Sequence, residues 1–142
     1  MSRRRGFTLI ELLVVVALMA VAMGIVGAGI GHGLQAARER QILRDMVYAL
    51  RQTRTRAVFT QSPAALHFDM QQRWYQAPGQ ARRSWSQNMM VSLATAAEVG
   101  SSMAFYPNGS SSGGHLYVQR DGQRWRIDVS WLTGNVRLQA LP

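Results

Sequence analysis

Cysteine is absent from the 142 residues, so neither a disulfide nor a thiolate metal site can form. That absence leaves the compartment open, because an oxidising space permits disulfides without requiring them. Lysine is absent as well: all sixteen basic residues are arginine, set against seven acids, and the formal net charge is +9. The three histidines, His32, His67 and His115, are scattered with no ligand spacing, so no metal and no cofactor is expected. No proline occurs before Pro63, and no charge or strongly polar group occurs in the twenty residues from Leu12 to Gly31. What is there must be explained by an apolar run, dispersed arginines and a β-prone remainder.

Twenty apolar residues at about 1.5 Å rise span roughly 30 Å, the thickness of a bilayer's hydrocarbon core. Arg3, Arg4 and Arg5 precede the run, and the positive-inside rule puts that end in the cytoplasm and the rest of the chain across the inner membrane, in the periplasm of a Gram-negative cell. An ordinary secretory signal begins the same way, but its apolar core is shorter, it carries no acid such as Glu11, and a small-x-small cut should follow. Ala28, Gly29 and Gly31 are the residues on which such a cut would have to rely. Gly27/Gly31 and Gly29/Gly33 also have the small-xxx-small spacing that lets helices approach closely.

Beyond Leu34 the pattern becomes amphipathic. Leu43, Val47, Leu50 and Ala57 recur at helical spacing, with Met46 and Val58 beside them, while Arg38, Arg40, Arg44, Arg51 and Arg54 fall mostly elsewhere. Ser62-Pro63 marks the end. A helix from Phe7 to Phe59 would be about 80 Å long if unbroken. After it come short β-prone runs: 64–69 and 73–77 around Met70-Gln71-Gln72, then 89–93, 103–106, 115–120, 124–131 and 136–138, with a polar stretch at 78–88. Asp121-Gly122 is a strong tight-turn signal. Trp125, Ile127, Val129 and Trp131 alternate with Arg126, Asp128 and Ser130, so one face of that strand should be buried. The expected fold class is α+β, a long N-terminal helix laid on a C-terminal antiparallel sheet.

The string Arg5-Gly6-Phe7-Thr8-Leu9-Ile10-Glu11-Leu12-Leu13-Val14-Val15 resembles the signal of type IV pilins and type II secretion pseudopilins. The resemblance implies that a prepilin peptidase cuts between Gly6 and Phe7, methylates the new amine of Phe7 and leaves the apolar helix in place. Residues 1–6 would then be the leader, 7–31 the transmembrane half of the helix, 32–60 its amphipathic continuation and 61–142 the periplasmic β-rich domain. It further implies that Glu11 pairs with the N-terminal amine of a neighbouring subunit and so sets filament register. An acid in lipid costs about 2.5–3.5 kcal/mol on insertion scales, which is a physical reason for such a partner. Cleavage would leave thirteen arginines against seven acids, 13 − 7 = +6 on side chains.

Phe105-Tyr106-Pro107-Asn108-Gly109-Ser110-Ser111-Ser112-Gly113-Gly114, followed by Trp125-Arg126-Ile127-Asp128-Val129-Ser130-Trp131-Leu132-Thr133-Gly134-Asn135-Val136-Arg137, is similar to the pseudopilin family shared by minor pseudopilin H of type II secretion and the pilus minor pilin FimT. This implies a structural subunit at or near the tip of a short periplasmic filament that supports export of folded proteins. Other pseudopilins, the peptidase and the inner membrane would be its partners. The alternative is a FimT-like minor pilin binding DNA for natural transformation, with arginine contacts to phosphate that weaken steeply with salt. The family often places a basic residue after the Thr-Gly turn, where this chain has Asn135.

Gly109-Ser110-Ser111-Ser112-Gly113 also satisfies the G-x-S-x-G form of a hydrolase elbow, which needs a strand before the serine and a helix after it. Here Pro107 precedes and a strand-like run follows, so a loop between strands is expected and no catalytic residue is assigned. Trp125 and Trp131 are expected in the core. Trp74 and Trp85, less constrained, are the candidates for an exposed subunit contact.

Overall fold

The computed structural model describes residues 8–142, apart from the side chains of residues 25–36 and 39. The chain divides into two compact units, 1–40 and 41–142. One helix, α1 (Leu9–Thr60), begins in the first and ends in the second. In the first unit the described side chains from Leu9 to Met23 are exposed, large aliphatic residues included. Among the described residues no helix is long and apolar enough to cross a membrane. The paired glycines Gly27/Gly31 and Gly29/Gly33, like the leader, fall outside the described side chains.

In the second unit α1 buries one stripe: Leu43, Met46, Val47, Ala49, Leu50, Thr53 and Ala57. The spacing of three and four keeps these residues on one helical face. Thr53 is tolerated there because its hydroxyl donates to the carbonyl of Ala49 at 2.8 Å. The helix stops at a left-handed residue, Gln61 (φ 49°), and the N–H of Ser62 donates back to Ala57 O at 3.2 Å. That is a Schellman-type ending made without glycine, and Pro63 then blocks any continuation.

Eight strands follow: β1 (Ala64–Asp69), β2 (Trp74–Gln76), β3 (Arg83–Ser84), β4 (Met90–Thr95), β5 (Ser102–Phe105), β6 (Gly114–Arg120), β7 (Gln123–Val129) and β8 (Val136–Leu141). They form two four-stranded sheets where the sequence pattern suggested one, in the orders β3-β2-β1-β5 and β4-β6-β7-β8, and every pairing is antiparallel. The β1–β2 turn is shaped by Asp69, whose carboxylate accepts from the N–H groups of Gln71 and Gln72 at 3.0 and 2.8 Å. The β6–β7 hairpin turns on Asp121 and Gly122 alone, both with positive φ (45° and 78°), the type I′ geometry its dipeptide favours.

One core joins α1 to both sheets: Leu66, Phe68, Tyr75, Met103 and Phe105 from the first, Leu116, Val118, Ile127, Val129 and Val136 from the second. Two tryptophans reverse their expected places. Trp85 is buried, stacked on Tyr75 with ring centroids 6.4 Å apart, because the polar stretch 78–88 contains the short edge strand β3 and folds back over the sheet. Trp131 is 68 % exposed, because β7 ends at Val129 and its alternation stops two residues short of that ring.

Two outcomes follow from this core. Phe105→Ala, at a fully buried ring, should lower the unfolding free energy by about 3–5 kcal/mol in a denaturant titration. Tyr75 has its phenol pushed above the ordinary 10.0, chiefly by burial, with Asp45 adding to the rise and Arg83 opposing it. The native state therefore keeps a proton that the unfolded chain loses, so stability should be intact below pH 10 and fall as pH rises above it. Tyr75→Phe should flatten that alkaline slope, and an unchanged slope would count against the assignment.

Candidate assembly site

Gly6 and Phe7, the residues flanking the expected cut, lie outside the described residues. Glu11 is described. It sits in the first turn of α1, where the N–H groups of Glu11 and Leu12 both donate to Thr8 O at 3.1 and 3.2 Å. An acid there is favoured by the helix dipole. Around it Leu9, Ile10, Leu12 and Leu13 are all at least 60 % exposed. A helix apolar on all sides is stable only when something apolar covers it, be it lipid or other helices. The carboxylate of Glu11 is the one charged group among the described side chains from Leu9 to Gly24.

The second motif region is a knot at the end of the β domain. The segment from Tyr106 to Gly113 links β5 to β6 and so runs from one sheet to the other. Ser112 N donates to Ala104 O at 2.9 Å, and Ser111 pairs with Phe105, which extends the edge of β5. On its other side Ser111 N donates to Trp131 O at 2.8 Å, and the Ser111 hydroxyl donates to Ser130 O at 2.9 Å while accepting from Gly113 N at 3.0 Å. Ser111 is buried and its hydroxyl is engaged in these backbone bonds. It therefore ties the β5–β6 loop to the β7–β8 turn, with a strand on either side and no elbow.

Arg54 closes the knot from the helix. Its Nε donates to Gly109 O at 3.0 Å, and Gly134, at φ 62°, lies against both groups. A Cβ on Gly134 would stand 2.3 Å from Gly109 O and 2.7 Å from Arg54 Nε. Gly113 and Gly114 are confined likewise, by Trp131 and by the carbonyl of Ala94. Two more helix arginines make the same kind of bond: Arg51 to Val136 O and Arg56 to Pro78 O, each at 3.1 Å. The sequence pattern marked Arg51 and Arg54 only as lying off the apolar stripe, and Arg56 was not singled out. Their one legible signal is position, immediately beside Leu50, Thr53 and Ala57.

Several other arginines are also engaged. Arg83 pairs with Asp45 at 3.1 Å, Arg120 with Asp121 at 2.8 Å, and Arg82 lies over the Trp74 ring at 4.3 Å. Arg126 donates to Asp128 at 2.9 Å, and the hydrogen bonds it donates, first to Asp128 and then to Tyr117, raise its pKa above the usual guanidinium value. His67 shares a 2.6 Å hydrogen bond with Ser102, and His115 meets the edge of Tyr117 with centroids 4.8 Å apart. No group of three or more potential metal ligands occurs among the described residues. Gly134→Ala should cost more stability than Gly122→Ala, whose Cβ would meet nothing within 4 Å and pays only the left-handed backbone cost of about 1–2 kcal/mol. Equal midpoint shifts in thermal unfolding would show that the knot does not need that close approach.

Comparison with known proteins places these features. Residues 1–27 match the prokaryotic N-terminal methylation motif, and residues 43–134 match the family described as type II transport protein GspH. Type II secretion system protein H of Xanthomonas campestris pv. campestris is 35 % identical over 138 residues, covering 94 % of this chain and 82 % of that protein. The minor pseudopilin EpsH from the type 2 secretion system of Vibrio cholerae has the same fold, with a TM-score of 0.59 over 72 % of this chain and 96 % of that one, at 12 % identity. The second family match spans the buried stripe of α1, the first sheet, three of the four strands of the second, and Arg54, Gly109 and Gly134 of the knot. This chain belongs to the GspH family of pilin-like type II transport pseudopilins.

Proposed function

We propose that the chain is a minor pseudopilin, a structural subunit at or near the tip of the type II secretion pseudopilus, where it supports export of folded proteins across the outer membrane. The observation that carries this reading is the occurrence, in one chain, of the N-terminal methylation motif over 1–27 and the GspH match over 43–134. The secretion-system name of the Xanthomonas relative favours this branch over the FimT-like, DNA-binding one.

In this reading residues 1–6 are removed between Gly6 and Phe7, and the new amine of Phe7 is methylated. Residues 7–31 anchor the subunit in the inner membrane with the N-terminus cytoplasmic and the β domain periplasmic, then become filament core, with 32–60 continuing the helix toward the 61–142 domain. The uncharged run from Leu12 to Gly31, the arginines before it and the exposed apolar side chains of Leu9 to Met23 support that assignment. Glu11 meets the N-terminal amine of a neighbouring pseudopilin, and that pair sets the axial register. Its carboxylate stands in surface that only an apolar neighbour would cover, so an opposite charge is the partner that makes its burial tolerable.

Glu11→Ala should be cleaved normally yet co-purify with the filament at least about tenfold less, since the neighbour's N-terminal amine, left without its carboxylate in apolar surroundings, costs more than the 1.4 kcal/mol that tenfold represents. Undiminished incorporation would remove the register role. A bulky replacement of Gly6 should do the opposite, leaving uncut precursor in the membrane fraction, and cleavage at the normal rate would refute the assigned cut.

A further inference from the structure

Trp131 and Leu132 stand 68 % and 63 % exposed, side by side, on the β7–β8 turn. Exposed apolar residues on a loose loop would mean little. These two are held on backbone that is fixed from several directions: Ser111 N donates to Trp131 O at 2.8 Å, Ser130 N to Asn135 O at 3.0 Å and Gly134 N to Ser130 O at 2.8 Å. The Cβ of Trp131 packs so close to Gly113 that no side chain fits between them. A pre-ordered turn with an exposed tryptophan at its crest has the composition and rigidity of an interface hot spot, where aromatic anchors enter a pocket at little entropic cost.

The surroundings select the occupant. Arg51 bonds to Val136 O, Arg54 lies against Gly134, and Arg137 follows Val136, so three cations stand beside the turn. The neighbouring acid, Asp128, is taken by Arg126 at 2.9 Å. A second copy of the chain would bring the same excess of positive charge to meet this one, thirteen arginines against seven acids once residues 1–6 are removed. Like-charge juxtaposition disfavours that pairing, whereas an acidic rim around an apolar recess matches it. A single-stranded nucleic acid would stack on Trp131 but gain nothing from Leu132. We propose that Trp131 and Leu132 form the centre of a docking surface for a different filament subunit that presents an apolar recess edged by carboxylates. The inference rests on the filament reading and adds to it which face meets a neighbour and what chemistry that neighbour carries.

The sequence makes the test clean. With no cysteine in the chain, Asn135→Cys supplies its one thiol, to which a thiol-directed benzophenone photo-crosslinker is attached; the photo-activated ketone inserts into C–H bonds of whatever segment lies beside position 135, a second copy of this chain included. Crosslinking is done on the full chain in cells with the filament intact, and the joined peptides are sequenced. The expected product joins position 135 to a carboxylate-rich segment of a different pilin-like subunit. Its yield should fall about tenfold or more in Trp131→Ala, Leu132→Ser and Arg137→Glu, each checked for an unchanged thermal midpoint. Yield that survives these substitutions overturns the proposal. So does a product containing only this chain, competition by oligonucleotide that ignores Leu132→Ser, or transfer of the surface to anionic lipid vesicles. A chain that enters the filament but gives no product defeats the docking surface alone, while a chain absent from the filament defeats the filament reading with it.

Discussion

The bond from Arg54 to the carbonyl of Gly109, with Gly134 pressed against both, is the contact on which the β domain's arrangement depends. It joins a helix residue to the loop between the two sheets and to the turn between the last two strands of the second sheet. Gly109 and Gly134 are both buried, so a carbonyl left there without a donor would cost about 1–3 kcal/mol. The guanidinium reaches it because Arg54 lies one position past Thr53 in the buried stripe, close enough for its stem to lie along the core and its head to reach the rim. Ser111 completes the tie with three backbone bonds of its own. What reads in sequence as a hydrolase-like Gly-Ser-Gly string is thereby a joint between sheets.

The same economy governs the charge. A chain whose basic residues are all arginine could have presented them as a uniform cationic surface, which would favour polyanion binding. Instead Arg51, Arg54 and Arg56 donate to backbone carbonyls of the domain, and Arg83, Arg120 and Arg126 each meet an acid. The planar guanidinium suits this work, since it satisfies a carbonyl at the end of a long apolar stem without having to give up its charge. The arginines bonded to carbonyls keep their charge, and beside the β7–β8 turn Arg51, Arg54 and Arg137 flank two exposed apolar side chains.

Much of this was legible beforehand. The buried stripe of α1 announced itself by spacing, the Asp121-Gly122 hairpin by its dipeptide, and the helix end by Ser62-Pro63. The second sheet was not legible, because strand pairing depends on contacts distant in sequence: β5 pairs with β1 and β4 with β6, and no local pattern encodes either choice. Trp85 and Trp131 show the limit of periodicity. Alternation places a ring only while its strand lasts, and β7 ends before Trp131, whereas β3 is too short for its alternation to register at all. The arginine bonds to carbonyls were invisible for a related reason, since a backbone acceptor carries no side-chain signature. The N-terminal signal, in contrast, is contiguous and needed no fold to be read.

Because that signal carries the functional reading, the N-terminal peptide of the chain isolated from membranes is the most direct measurement. Its mass should correspond to a chain beginning at N-methylated Phe7, with Glu11 as its fifth residue. A peptide beginning at Met1, or at a cut beyond the apolar run near Ala28 to Gly31, would contradict the account, because the helix that is to form the filament core would then carry its leader or be lost altogether.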